Sequence, residues 1–158
     1  MNEYPKRKPV RLSDYDYSQH GAYFITICTQ GREKIFWECV GADSIRPQNV
    51  SLSSAGRIAE QGILQIPEHY GNVTVDKYCV MPDHIHLILC IENDSNGRMV
   101  SAPTVSSVIG SMKRWVSRQI GRPIWQRSFY DHGIRNQQDY NEIWEYIENN
   151  PRKYLEKA

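Results

Sequence analysis

The apolar residues of this chain fall into short blocks whose spacing switches between a period of two and a helical period. Ala22-Tyr23-Phe24-Ile25-Thr26-Ile27-Cys28-Thr29 is dense in β-formers and stops at Gly31, which predicts a first strand. A loop or minor hairpin follows through Pro47. Ser53 or Ser54 can then cap a helix whose apolar positions Ile58, Ile63, Leu64 and Ile66 follow a helical spacing and stop before Pro67. Val73 to Val80 reads as a second strand, Met81-Pro82-Asp83 as a tight connection, and His84 to Ile91 as a third strand antiparallel to the second. Asn93 to Pro103 is a loop. Val105, Val108, Ile109, Met112, Trp115 and Val116 recur at helical spacing until Gly121 and Pro123 end the run. Ile124 to Ile134 is the fourth strand, and a last helix runs from near Gln137 to a break at Asn149-Asn150-Pro151, with a short tail helix beyond.

The order β-α-β-β-α-β plus a terminal helix is the ferredoxin-like, split βαβ arrangement, an α+β fold with an antiparallel sheet and helices packed on one face. Residues 1–20, polar and rich in Tyr and Asp, read as an arm, and residues 21–158 as a single domain. That fold hosts many activities and proves none.

Composition narrows the setting more than the chemistry. At 158 residues, 40% hydrophobic and 23% charged, the chain has the balance of a globular domain rather than a disordered one. Its longest apolar run, Leu87 to Ile91, is too short to cross a bilayer. No charged-apolar-small leader opens it, so the expected location is the cytoplasm. Cys28, Cys39, Cys79 and Cys90 lie far apart with no CxxC pair, which argues against a zinc ribbon and for reduced thiols.

The net charge is only +1, but its distribution is uneven. From Ser95 to Tyr130 there is no acid, while Arg98, Lys113, Arg114, Arg118, Arg122 and Arg127 supply six positive charges. Lys6, Arg7, Lys8 and Arg11 form a second basic cluster, and Asp139, Glu142, Glu145, Glu148 and Glu156 gather near the C-terminus. A solvated helix face accounts for the middle stretch equally well unless a phosphate-handling site lies beside it.

His84-Ile85-His86 supplies such a candidate. Side chains alternate across a strand, so the two imidazoles, about 7 Å apart along it, share one face while Ile85, Leu87 and Leu89 fill the other. They can converge on a divalent cation, with Asp83 orienting one ring; exposed or purely structural histidines are the plain alternative. A catalytic site would need an oxygen ligand as well. On the terminal helix, Tyr146 and Asn150 are one turn apart on one face. Asn150 is free either to point inward as a carbonyl ligand or to cap the next turn, and Tyr146 equally to pack with Ile143 and Ile147.

The ordered set of Met81-Pro82-Asp83-His84-Ile85-His86, Trp125-Gln126-Arg127-Ser128-Phe129-Tyr130-Asp131-His132-Gly133-Ile134-Arg135 and Tyr146-Ile147-Glu148-Asn149-Asn150-Pro151 resembles the REP-associated tyrosine transposases. These belong to the single-tyrosine transposases with an HUH motif. The likeness runs from about Tyr23 to Pro151. Mobile-element members often have Gln where this chain has Asn150, which places it nearer the REP-associated branch.

The resemblance implies His84, His86 and Asn150 as metal ligands, Mg²⁺ or Mn²⁺ as the cation, and Tyr146 as the nucleophile that forms a 5′-phosphotyrosine on single-stranded DNA, on hairpin-forming repeats. Ligand softness alone would favour Zn²⁺ or Ni²⁺, so loose selectivity is expected. Of the rival tyrosines, Tyr140 lies some 240° around the helix from Tyr146, Tyr130 is on the presumed fourth strand, and Tyr154 falls beyond the proline. Asp131 and His132 are expected to organise the loop before the helix.

Lys113, Arg114, Arg118, Arg122 and Arg127 are the expected DNA contacts, with bases resting on rings such as Trp115 or Trp125 unless those are core. Arg7, Lys8 and Arg11 would bind a stem's phosphates or form a free tail. Single-stranded or hairpin DNA is the expected partner, the protein acting as monomer or homodimer in a bacterial cytoplasm, at the nucleoid. Two rivals share the scaffold: a noncatalytic nucleic-acid-binding domain and a small metal hydrolase that activates water.

Overall fold

The computed structural model describes residues 21–39, 50–92 and 103–157. The N-terminal arm with its basic cluster, the loop around Pro47, and the Asn93–Pro103 loop up to residue 102 with Arg98 lie outside the described residues. The strands are β1 (Ala22–Cys28), β2 (Trp37–Cys39), β3 (Val50–Leu52), β4 (Val73–Val80), β5 (His84–Ile91) and β6 (Tyr130–Gly133). The helices are α1 (Ser54–Leu64), α2 (Ile66–His69), α3 (Val105–Ile120) and α4 (Gln137–Lys157). Among the described residues no helix is long and apolar enough to cross a membrane.

β4-β5-β1-β6 form one sheet with every neighbour antiparallel, the strand order of a ferredoxin-like fold. β2 and β3 pair separately as a small hairpin, Trp37 opposite Leu52. The alternation read from the sequence sorts the sheet's side chains. Ile25, Ile27, Ile85, Leu87 and Leu89, all with no exposed surface, point to one face, where α1 and α3 cover them. Ala22, Ile88 and Cys90 point to the other face, with Tyr140, Ile143 and Ile147 of α4 packed over them. The two crossover helices share one face as expected, but α4 covers the second face, so the sheet is sandwiched.

Local chemistry sets the helix ends. Ser53 caps α1 by accepting from Gly56 N, 3.0 Å away. A Cβ at Gly56 would stand 2.2 Å from the Phe36 carbonyl oxygen, and one at Gly62 would stand 2.7 Å from Val116 Cγ2, so both sites need glycine for close approach. Thr104 and Ser107 form a capping box at the start of α3, and Gly121 at φ 95° ends it in the left-handed region. Pro67 stops α1 only in effect: it sits in the first turn of α2, where a missing N–H costs nothing.

Three expectations need correcting. The fourth strand shortens to β6, with Trp125 joined to Thr29 only by an isolated bridge. The ladder of β4 carries a bulge between Val75 and Lys77, which reverses the parity of the strand and turns Lys77 and Cys79 toward α4. And α4 does not break at Pro151 but runs through it. Proline there removes one backbone hydrogen bond and crowds the Ile147 carbonyl, a cost of about 3 kcal/mol. The turn beyond the proline still packs on the rest of the molecule: the Tyr154 ring stands edge-on to Trp37, with centroids 5.3 Å apart, which recovers part of that cost.

Candidate active site

β5 begins immediately after the Met81-Pro82-Asp83 turn, and that turn is held from several sides. Met81 N donates to the His84 carbonyl at 2.8 Å, Phe36 N to the Pro82 carbonyl at 3.0 Å, and Thr29 to the Asp83 carbonyl through both its backbone N–H and its hydroxyl. The turn is therefore a fixed platform for the first residues of the strand. His84 and His86 lie on the α4 face, as the alternation requires, with Ile85 buried on the other.

Each imidazole is oriented through its Nδ1. His84 Nδ1–H donates to Asp83 Oδ1 at 2.6 Å, the orienting role the sequence suggested for Asp83. His86 Nδ1 is 2.8 Å from Thr26 Oγ1 on the neighbouring strand, where Thr26 stands directly opposite His86. The two Nε2 atoms then face each other at 3.1 Å. Two imidazole lone pairs repel at that distance, so a proton or a cation belongs between them. Adjacent ligands of an octahedral ion bound at about 2.1 Å would be about 3.0 Å apart, so the pair fits one divalent cation.

Burial keeps both rings neutral. It lowers the pKa of His84 despite the opposing pull of Asp83, and it pushes His86 down to about 3, helped by repulsion from Arg32 and from His84 whenever that ring is protonated. Burial works against the Asp83 carboxylate too, but hydrogen bonds from His84 and Arg32 outweigh it and hold the pKa below the usual range. Neutral rings with free lone pairs are the form that binds a metal. Among the described residues no group of three or more His, Cys, Asp and Glu side chains is placed to hold a metal ion, Asp83 being engaged by His84 Nδ1 and Arg32. A third ligand would have to be of another type, such as an amide.

Tyr146 reaches this place from α4. Its ring stands edge-on to His86 with centroids 5.4 Å apart, and to Phe24 at 6.0 Å. It is 48% exposed, and its hydroxyl has no hydrogen-bond partner among the described residues. Asn150 lies one turn further along α4, half-buried, its amide likewise unpaired; no hydrogen bond joins it to either imidazole. The structure thus brings His84, His86 and Tyr146 together, and Asn150 follows Tyr146 by one turn of the same helix.

The rival tyrosines are placed differently. Tyr140 is buried and donates to Asp76 Oδ2 at 2.9 Å, and Tyr154 packs on Trp37. Tyr130 is exposed on the edge strand, with Phe24 between it and Tyr146. His132 does organise the loop before α4: its Nε2 lies 3.0 Å from Asp139, which also accepts from Arg135 N, while Asn136 caps the helix through Asp139 N. Asp131 is exposed and takes no part.

All five basic residues expected at the nucleic acid, Lys113, Arg114, Arg118, Arg122 and Arg127, line one shallow groove of about 520 Å³ between α3 and the segment that follows it. They are not equivalent. Lys113 Nζ donates to the carbonyls of Gln126 and Arg127, with burial lowering its pKa, and Arg122 pairs with Glu33 at 3.2 Å. Arg114, Arg118 and Arg127 are exposed and without partners among the described residues. Trp125 is core: it packs on Phe36, and its indole N–H donates to the Lys113 carbonyl. Trp115 is half-buried against the same core.

Sequence reasoning missed Thr26 and Arg32. Thr26 could be found only by knowing the β1–β5 register. Arg32, whose Nε donates to Asp83 Oδ2 at 3.0 Å, carries no signal in the linear pattern.

The fold and site define the class: an α+β domain of ferredoxin-like topology whose second sheet face is given to a histidine pair beneath a tyrosine-bearing helix. Residues 18–150 match the family model described as "Transposase IS200 like", and the chain belongs to that family of DNA transposases. It is 30% identical to a protein of unassigned function from Haemophilus influenzae strain Rd, over 92% of this chain and 88% of the relative. It is 29% identical to another protein of that strain, provisionally named a REP-associated tyrosine transposase, over 90% of this chain and 78% of the relative. The solved structure of a REP-associated tyrosine transposase bound to a REP hairpin superposes with a TM-score of 0.63 at 22% identity, covering 98% of this chain and 74% of that one. That likeness supports the fold.

Proposed function

We propose that this protein nicks and rejoins single-stranded DNA at hairpin-forming repeats, with Tyr146 as the covalent nucleophile. The observation that carries the reading is the Tyr146 ring against His86, half-exposed and with its hydroxyl unpaired. The REP hairpin bound by the similar solved protein, and the name of the second relative, support the choice of DNA.

Cutting a phosphodiester while keeping its energy for rejoining requires a covalent intermediate. The Tyr146 phenolic oxygen attacks phosphorus, loses its proton to solvent, and the bond from phosphorus to the 3′ oxygen breaks. The departing oxygen takes up a proton as a free 3′-hydroxyl, and the 5′-phosphate stays on the tyrosine. Attack by a 3′-hydroxyl on that ester reverses the exchange and releases Tyr146.

His84 and His86 would hold a divalent cation such as Mg²⁺ or Mn²⁺ through Nε2, with the Asn150 carbonyl as a third, neutral ligand. When bound, such an ion polarises the scissile phosphate and stabilises the leaving oxygen. Asp83 and Thr26 keep both lone pairs aimed at one point. Arg114, Arg118 and Arg127 are free to follow the DNA backbone.

Labelled single-stranded hairpin DNA incubated with the protein and Mn²⁺ is expected to give a covalent adduct on a denaturing gel, mapping by peptide analysis to Tyr146. Tyr146→Phe should abolish the adduct and keep DNA binding, while Tyr130→Phe should keep both. EDTA added before the DNA should prevent the adduct from forming. Tight binding with no adduct, indifferent to EDTA and to His86→Ala, would leave a noncatalytic binding domain; release of free 5′-phosphate without an adduct would leave a metal hydrolase.

A further inference from the structure

Arg32 follows β1 in a short turn, Gln30–Arg32, and is the one described non-glycine residue with a positive φ, 54°. Gly31 before it is also left-handed, at 64°. A left-handed backbone is costly for a residue with a side chain and persists where the surroundings enforce it. Here they fix the guanidinium. Nε donates to Asp83 Oδ2 at 3.0 Å, and Nη1 reaches Cys28 Sγ at 3.0 Å. A guanidinium has five N–H donors; with one from Nε and one from Nη1 engaged, the other three have no partner among the described residues. The side chain is nevertheless 53% exposed.

The turn also borders the basic groove. Gln30 N donates to the Ile124 carbonyl, Gln126 N to the Cys28 carbonyl, and Glu33 pairs with Arg122. A strand whose backbone leaves the groove for the histidine pair therefore passes this guanidinium. Asp83 joins the two directly, one oxygen on Arg32 and the other on His84.

We infer that Arg32 is a phosphate-binding catalytic residue, its free N–H edge gripping the non-bridging oxygens of the scissile phosphodiester while Asp83 holds it in register with His84. This rests on the strand-cleaving function proposed above. Arginine suits the role because its planar fork can hold a carboxylate on one edge and a phosphate on another, and a charge fixed before the reaction favours the more negative transition state.

The test measures adduct formation on single-stranded hairpin DNA with Mn²⁺. Arg32→Gln should slow it by about 100- to 1000-fold while hairpin affinity changes less than about threefold. Arg32→Lys, which keeps the charge and loses the fork, should fall between and serves as the main variant if Arg32→Gln is unstable. A neutral methylphosphonate placed at the linkage that wild-type cleavage identifies should bring wild type and variant within about threefold of each other.

If Arg32 merely props Asp83, the Asp83→Asn single variant and the Asp83→Asn/Arg32→Gln double variant will be equally slow, and the methylphosphonate will leave the Arg32 ratio untouched. Either result overturns the inference, as does a wild-type rate in Arg32→Gln. A wild type that forms no adduct at all overturns the strand-cleaving function itself, and the inference with it.

Discussion

The two faces of the central sheet come from the same strands and differ in almost everything else. Toward α1 and α3, β1 and β5 present Ile25, Ile27, Ile85, Leu87 and Leu89, fully buried in one aliphatic layer. Toward α4 the intervening residues are Thr26, His84 and His86, flanked by Lys77 and Cys79 from β4 and mixed with Ile88 and Cys90. One residue along a strand separates a packing position from a chemical one. Both faces contribute buried core, but the polar groups of the candidate site are confined to the α4 side, so a core residue of the other side and a site residue can be altered separately.

The sharpest way to break that division is a pair of neighbours on β5. Leu87→Ala deletes a side chain with no exposed surface from the dry layer and should cost about 2–5 kcal/mol in urea unfolding. Adduct formation by the molecules that remain folded should be near normal. His86→Ala should do the reverse: adduct formation falls by more than about 100-fold, while unfolding free energy drops by about 1–2 kcal/mol for the lost Thr26 contact. Equal losses of both properties in both variants would show that the faces are not separable.

That division was largely written in the sequence, because period-two alternation is local. His84-Ile85-His86 needs only strand geometry to put both rings on one side, and Ser53 needs only its own neighbours to cap α1. What could not be read depends on residues far apart in the chain. Thr26 meets His86 only through a register spanning sixty residues. Pro151 is a helix breaker by its own chemistry yet sits inside α4, whose last turns are held in part by Tyr154 on Trp37, far away in the chain. The bulge after Val75 is invisible in Val73–Val80, which reads as an unbroken strand, yet it determines that Lys77 joins Glu148 and lies 4.0 Å over the Trp144 ring. The basic residues of the acid-free stretch line one groove, but the linear pattern did not show which of their charges are already committed.

Those commitments predict a graded response within the groove. Arg114 and Arg118 are unpaired, so Arg114→Gln or Arg118→Gln should each reduce the slope of log affinity against log salt by about one. Neither should move the urea midpoint. Lys113 spends its donors on the carbonyls of Gln126 and Arg127, so Lys113→Met should lower stability by about 1 kcal/mol as the groove's wall loosens. A Lys113→Met protein with unchanged stability and a slope reduced like the arginine variants would place the lysine among the phosphate contacts instead.

The last measurement probes how closely α4 stays seated on the histidine-bearing face. Cys79 lies beneath it, packed with the cluster that includes Ile143 and Ile147, and burial pushes its thiol up to about 12. Only the thiolate reacts with iodoacetamide, so at pH 8 the native protein should alkylate at Cys79 more than about a thousandfold more slowly than an unfolded chain with an ordinary thiol. Peptide mass spectrometry over a time course reads this directly. Raising the pH from 8 to 9 should increase the rate about tenfold, since the thiolate fraction rises with pH well below the pKa. A Cys79 rate approaching that of the urea-unfolded protein, with Cys90 on the same face alkylated in step while the amides of Leu87 and Leu89 stay protected from hydrogen exchange, would mean that α4 leaves the sheet while the aliphatic layer holds. The dry face would then be the sole rigid half of the molecule, and the Tyr146–His86 contact one state among several.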